Sequence, residues 1–287
     1  MKPEDAYARR IQKVVDFITT HLDEELTVER LAEVAGFSKF HFHRQFAIST
    51  GYTTADLIRR LRLRRAAFRL AFDRERRIVE VALEAGFAAH EAFSRAFKDA
   101  VGQTPSAFRA APDWTAMTPD RPLPFTIRSE PMNPEIILFE EVRVAALEHE
   151  GPPSELMNTV GRFITWRKAS GESPVRTSRT FGLIYNDPER TPPAEFRFDV
   201  CGELSQPLRA NAAGVVEKVI PRGRCARVRH VGSTDAIGET VKPLYSDWLP
   251  KSGERPRDFP LFFHYVIRMP DVAEHEQVTD VYLPLEG

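Results

Sequence analysis

Cysteine is nearly absent: the 287 residues hold 2, Cys201 and Cys225, too few for a disulfide framework or a thiolate zinc site. The opening "MKPEDAYARR" is charged and no apolar core follows it, unlike a signal peptide. Buried free thiols in a reducing compartment are therefore expected rather than a bridge. Long apolar runs are missing too. Nothing approaches the roughly 18 residues of a membrane span, so a soluble, cytoplasmic chain with no membrane partner is expected. Net charge is the third absence, with 40 Lys and Arg against 41 Asp and Glu.

That balance hides an asymmetry. Residues 1–114 hold 19 basic against 16 acidic residues, and the remainder 21 against 25. Between Lys39 and Arg77 there are 11 basic and 3 acidic residues, a footprint that suits a polyanion.

Residues 4–111 read as helices parted by short turns. Thr27, Ser38 and Thr104 stand at N-cap positions, with Pro105 in the first turn after Thr104. Gly36, Gly51, Gly86 and Gly102 stand where helices stop. "APDWTAMTPDRPLPF" then brings four prolines and no apolar period, which predicts a linker over 113–125 between domains 1–112 and 126–287. The second domain reads as strands interrupted by helical stretches near Ser154–Lys168 and Asp235–Trp248. It repeats at offsets of 80 to 82: His149 recurs as His230, Trp166 as Trp248, Tyr185 as Tyr265. The expected fold is multidomain: an all-α domain, then an α+β domain of tandem strand-helix-strand-strand units forming a mostly antiparallel sheet with two helices.

The first domain also repeats itself. Ala32, Ala35, Gly36 and Phe37 match Ala82, Ala85, Gly86 and Phe87 at an offset of 50, and Phe42, Arg44, Phe46 and Gly51 match Phe93, Arg95, Phe97 and Gly102 at 51. A helix, a glycine turn and a second helix make a helix-turn-helix, whose second helix can enter a major groove. At 100° per residue, Phe42 and Phe46 share one side of the first such helix, while Phe40, His43 and Arg44 face away. In the second, Phe93 and Phe97 face in, and Glu91, Ser94 and Arg95 face out. An outward aromatic such as Phe40 suits thymine methyls. His41 and His43, two apart on a helix, point in different directions, so no metal or other cofactor is expected.

The joining segment "TTADLIRRLRLRRAAFRLAF" carries two apolar stripes, one with Leu57, Leu61, Phe68 and Phe72, the other with Leu63, Ala66, Ala67 and Leu70. A helix with two stripes packs against two bodies. At roughly 30 Å it approaches the ~34 Å between successive major grooves on one side of a duplex. Two reading helices in one chain are thus expected in adjacent grooves, with Arg62, Arg65, Arg69 or their neighbours near phosphates.

"LAEVAGFSKFHFHRQFAISTGYTTADLIRRLRLRRA", followed by "IVEVALEAGFAAHEAFSRAFKDAVGQTPSAFR", resembles the DNA-binding domain of the AraC/XylS family of bacterial transcription regulators over about residues 5–112. The resemblance implies base contacts at Phe40, His43 and Arg44 and at His90, Glu91, Ser94 and Arg95. Relatives often carry Trp where Phe40 stands and Gln where His43, His90 and Glu91 stand. Glu91 should favour a cytosine amino group.

The motifs "AALEHEG", "GLIYNDP", "EFRFDVC", "ARVRHVGS", "SDWLP" and "VTDVYLPL" make residues 126–286 resemble the GyrI-like effector-binding domain. In that superfamily a cleft takes hydrophobic, often cationic molecules between aromatic walls around a glutamate in a Glu-x-Tyr pattern; here Phe263 stands at the glutamate position before Tyr265. The aromatic wall is expected from Tyr185, Phe196, Phe198, Trp248, Phe263 and Tyr265, residues that serve equally as plain strand core. The expected function is a sequence-specific DNA-binding transcription regulator whose second domain senses a small hydrophobic effector or contacts a protein such as RNA polymerase. The alternative makes the second domain a hydrolase of a reactive small molecule, which some GyrI-like proteins resemble; no Ser/His/Asp or Cys/His motif supports it. The Pro-Cys-His-Arg setting of AraC-linked alkylation repair is absent as well.

Overall fold

The computed structural model describes residues 3–73, 75–115, 133–269 and 272–287, and the chain divides into two compact units. The first holds α1 (Pro3–Thr20), α2 (Val28–Ala35), α3 (Lys39–Thr50), α4 (Thr54–Phe72), α5 (Ile78–Glu84), α6 (His90–Val101) and α7 (Pro105–Ala110). The oxygens of Thr27 and Thr104 accept hydrogen bonds from the backbone N–H groups of Arg30 and Ala107, as N-caps should; Ser38 holds the N-cap position without such a bond. Both turns into the second helices end left-handed on glycine, Gly36 at φ 65° and Gly86 at φ 82°.

The first apolar stripe of α4 divides along its length. Leu57, Ile58 and Leu61 close a core with α1, α2 and α3 that contains Val14, Ile18, Leu31, Phe42 and Phe46. Phe68 and Phe72 pack instead on Trp114, at ring-centroid distances of 4.9 and 5.8 Å. Trp114 is 4% exposed, so 113–115 belongs to the helical unit and not to the expected linker. The rest of that linker, 116–125, lies outside the described residues.

The second unit contains β1 (Glu135–Phe139), β2 (Val142–Glu150), α8 (Leu156–Ser170), β3 (Thr180–Ile184) and β4 (Arg197–Glu203). Then follow β5 (Val216–Ile220), β6 (Gly223–Val231), α9 (Gly238–Pro243), α10 (Leu249–Ser252), β7 (Leu261–Ile267) and β8 (Val278–Pro284). The eight strands form one sheet in the order β1-β6-β8-β7-β3-β4-β2-β5, every neighbouring pair antiparallel. Each half therefore has one strand more than expected. "EIILFEEVRVAALEHEG" breaks at Glu140 and Glu141, and the short, half-charged "VEKVI" of β5 pairs with β2 across the repeat, just as β1 pairs with β6. The halves exchange their leading strands around a pseudo-twofold axis.

Both sheet faces are covered. Ala145, Leu147, Phe198, Val200, Phe263 and Val281 point to the helix side with Phe163, Trp166 and Leu244, while Val144, Ala146, Phe181, Cys201, Cys225, Phe262 and Tyr282 fill the other. Burial on both faces explains why β2 reads as a run of small apolar residues instead of an alternation. Both cysteines are free and buried. The helix of the second half contains a π turn, Leu244–Trp248, between α9 and α10. The offset between halves is 81 from Thr159 to Thr240 but 82 from Trp166 to Trp248, so the π turn absorbs one inserted residue beside Pro243, whose missing N–H already breaks the helical ladder.

Candidate nucleic-acid interface and effector cleft

The burial pattern of residues 31–41 is identical, position by position, to that of 81–91. Phe42 and Phe46 are fully buried and 5.6 Å apart, and Phe93 and Phe97 likewise at 5.5 Å. Each buried phenylalanine contributes about 2–3 kcal/mol, so this inward stripe fixes how each second helix rolls. The opposite side is what remains to meet a partner. Phe40 is 87% exposed, His43 and Arg44 are exposed beside it, and a hollow of about 340 Å³ is lined by Val28, Lys39, Phe40, His43 and Arg44. On α6, His90, Glu91 and Arg95 are exposed and Ser94 is half-buried. Neither Arg44 nor Arg95 is engaged by another described residue, whereas Lys39 is held by Glu29. Sequence reasoning missed Ile48, which is 72% exposed; its spacing of four from Arg44 and eight from Phe40 was the available signal.

Arg62 and Arg65 correct the expectation of phosphate contact. The Arg62 guanidinium donates through Nε to Leu22 O and through Nη2 to Glu24 O, both at 2.9 Å. Arg65, 6% exposed, donates to both carboxylate oxygens of Asp23 and through Nη2 to Glu84 O at 3.2 Å. Arg69 is held by Glu84. These side chains tie the turn after α1, the middle of α4 and the end of α5 into one scaffold. The wheel placed them between two apolar stripes, and that seam is where the two flanking bodies close together rather than where water lies. Burial lowers the Arg62 pKa first, and repulsion from Arg65 adds to it. Gly86 is dictated twice over, because a Cβ there would lie 2.6 Å from Arg62 Nη1 and φ is positive. Arg60, exposed and resting over the Tyr52 ring at 5.3 Å, remains on the outer side of α4.

Replacing Arg65 with Ala should thus cost about 1–3 kcal/mol of stability and leave the slope of log affinity against log salt unchanged. Thermal unfolding and salt-titrated gel shifts measure the two; a flattened slope without destabilisation would restore the phosphate reading. The Arg65 hydrogen bond holds the Asp23 carboxyl below its ordinary 3.8, so its contribution is complete above that pH and is lost as pH falls through the depressed folded value.

In the second unit, Phe196 and Phe263 are each 3% exposed, and Trp248 and Tyr265 are half-buried in the same cluster under the helices. The Phe198 and Phe263 rings lie 6.3 Å apart, and those of Phe263 and Tyr265 6.4 Å. Gly182 faces Phe263 across the β3–β7 pair, at the pseudo-twofold axis. A Cβ on Gly182 would stand 2.4 Å from the Phe198 ring and 2.9 Å from Tyr265 Oη, so its missing side chain is the space those two groups occupy.

Tyr185 is not part of this cluster. Its hydroxyl donates to Asp199 Oδ2 at 2.6 Å on the opposite face of the sheet, where Lys218 Nζ lies 2.7 Å from the same oxygen. Burial and then the Asp199 carboxylate push that phenol up to about 12. Strand register pairs the halves at 81, so Tyr185 corresponds to Val266 and Ile184 to Tyr265. The apparent offset of 80 was a one-residue slip, which reverses the face of a strand residue.

His149 and His230 are both structural ties. His230 Nε2 lies 2.9 Å from Ser233 O and Nδ1 2.8 Å from Thr240 Oγ1; His149 repeats this with Pro152 O at 3.2 Å and Thr159 Oγ1 at 2.9 Å. A carbonyl only accepts, so Nε2 carries the proton, and burial keeps His230 neutral with Nδ1 accepting from the threonine.

Residues 132–286 match the family model of the GyrI-like small molecule binding domain, and residues 31–111 match a helix-turn-helix domain model. The chain is 45% identical over 150 residues to the probable transcriptional regulator YgiV of Escherichia coli K12, covering 52% of this chain and 94% of that protein. It is 27% identical over 183 residues to the right origin-binding protein of the same organism, covering 63% of each. To the regulatory protein SoxS, also from that organism, it is 34% identical over 104 residues, 36% of this chain and 96% of SoxS.

Proposed function

The chain belongs to the GyrI-like small-molecule-binding family and carries an AraC-type helix-turn-helix domain ahead of it, the make-up of a DNA-binding transcription regulator, and on that premise we propose how it reads DNA and what it senses. The observation that carries the DNA reading is the pair of matched outward faces, with Arg44 and Arg95 both exposed and uncommitted over identically packed cores. Phe40, His43 and Arg44 enter one major groove, and His90, Glu91, Ser94 and Arg95 the next. Arg60 meets phosphate in place of Arg62 and Arg65.

The exposed Val79 and Leu83 on α5 support a second contact, with protein: α2 carries Glu29 and Glu33 at the equivalent places. RNA polymerase is the partner such a DNA-bound ridge suits.

The cleft of the second unit binds an uncharged aromatic effector between Phe196, Trp248, Phe263 and Tyr265. With an apolar ring at 263, no carboxylate from that position compensates a cation stripped of water. A sensor is favoured over a hydrolase because both thiols and the two matched histidines are disarmed. Burial raises the Cys201 thiol well above its ordinary value and that of Cys225 to about 11, and both imidazole nitrogens of His149 and His230 are occupied. Calorimetry on the full chain should find a neutral aromatic compound bound more tightly than a quaternary ammonium of equal size. The reverse order would mean that a carboxylate lines the site and that the cleft is misassigned.

A further inference from the structure

Thr279, on the helix-covered face of β8, is 1% exposed, and its hydroxyl has no hydrogen-bond partner among the described residues. Its register neighbours are His230 on β6 and Tyr265 on β7. His230 offers nothing, since its ring nitrogens are committed to Thr240 and Ser233. The Tyr265 hydroxyl stands over Gly182 and makes no hydrogen bond to any described residue. In the first half the equivalent of Thr279 is Phe198, whose ring fills the space above Gly182. The second half thus replaces a large apolar ring with a small polar group, and that group is left unsatisfied.

A buried hydroxyl without a partner is a standing cost to the fold, which an isosteric valine would remove. This buried hydroxyl and, on the adjacent strand, the half-buried Tyr265, whose hydroxyl also lacks a described partner, share the face where Phe263 and Trp248 gather and call for a common explanation. We propose that Thr279 and Tyr265 form a polar subsite of the effector cleft, selecting uncharged aromatic compounds that bear a hydrogen-bonding group, a phenol or an aryl carbonyl, over hydrocarbons of the same shape. The inference rests on the cleft reading above. Each hydroxyl both donates and accepts, so the subsite takes either polarity of neutral group. A hydrocarbon leaves both hydroxyls unpaired, and that difference is the source of the discrimination.

Calorimetry on the full chain with naphthol and methylnaphthalene, matched in shape, tests this. The unaltered protein should prefer naphthol by roughly tenfold, the scale of one buried hydrogen bond. Thr279→Val should bring the two probes close to parity, with methylnaphthalene binding unchanged and the melting temperature equal or higher. Thr279→Ser, which keeps the hydroxyl, should keep the preference. An undiminished preference in Thr279→Val overturns the subsite, as does equal binding of both probes by the unaltered chain, and either result leaves the cleft standing. If neither probe binds the unaltered chain, the cleft reading fails and the subsite with it.

Discussion

Arg44→Ala and Arg95→Ala should each weaken binding to the specific DNA site by about 1–3 kcal/mol, and each should relax base preference at its own position, the two roughly ten base pairs apart. The argument starts from packing. Phe42 and Phe46 on α3, and Phe93 and Phe97 on α6, are wholly buried, which leaves each arginine on the outward side of its helix. A guanidinium presents a planar fork that matches the two acceptors of guanine in the major groove, so losing it removes both affinity and discrimination. Neither arginine has a partner to lose among the described residues, so the folded domain should survive either change. That separates these positions from Arg65, where the expected loss is of stability. Gel shifts on the site and on single-base variants read the effect; wild-type affinity and specificity in both variants would sink the assignment.

Trp114→Ala should be the most damaging single truncation in the helical unit, costing about 3–5 kcal/mol. Its ring meets three others: Phe68 at 4.9 Å, Phe72 stacked at 5.8 Å and Phe108 edge-on at 5.0 Å. Phe108 in turn meets Phe97 of α6 edge-on at 5.5 Å. Trp114 thus ends a chain of rings that holds α4, α6 and α7 together beneath the second reading helix. Deleting it leaves a cavity among rings already fixed by their own helices, which can collapse only in part. DNA binding should fall with stability, because α6 loses its support. Unfolding followed by circular dichroism, together with a gel shift, checks both. An unchanged melting temperature would show that the tryptophan merely covers the surface.

Elements whose signal is local were legible in the sequence. The two helix-turn-helix units announced themselves by a repeated glycine turn and by inward phenylalanines four apart, and the wheel placed Phe40, Arg44 and Arg95 outward. Features that depend on what packs alongside were not. Arg62 and Arg65 look like solvated charges on a wheel, and only the closing of the turn after α1 and the end of α5 against α4 makes them clamps. Trp114 sits among prolines that read as linker, and its burial depends on Phe68, Phe72 and Phe108 from distant helices. Tyr185 matches Tyr265 in the sequence and so reads as part of the same aromatic wall, because counting residues between repeats cannot fix strand register to one position. The leading strands β1 and β5 exchange between halves, a pairing that no local pattern encodes.

Hydroxyl-radical footprinting, with one chain bound per site, tests the central claim that a single chain carries two reading heads. Two protected tracts on the same face of the duplex, about one helical turn apart, are the predicted result. One protected tract, or a second that appears only when a second chain binds, would contradict it.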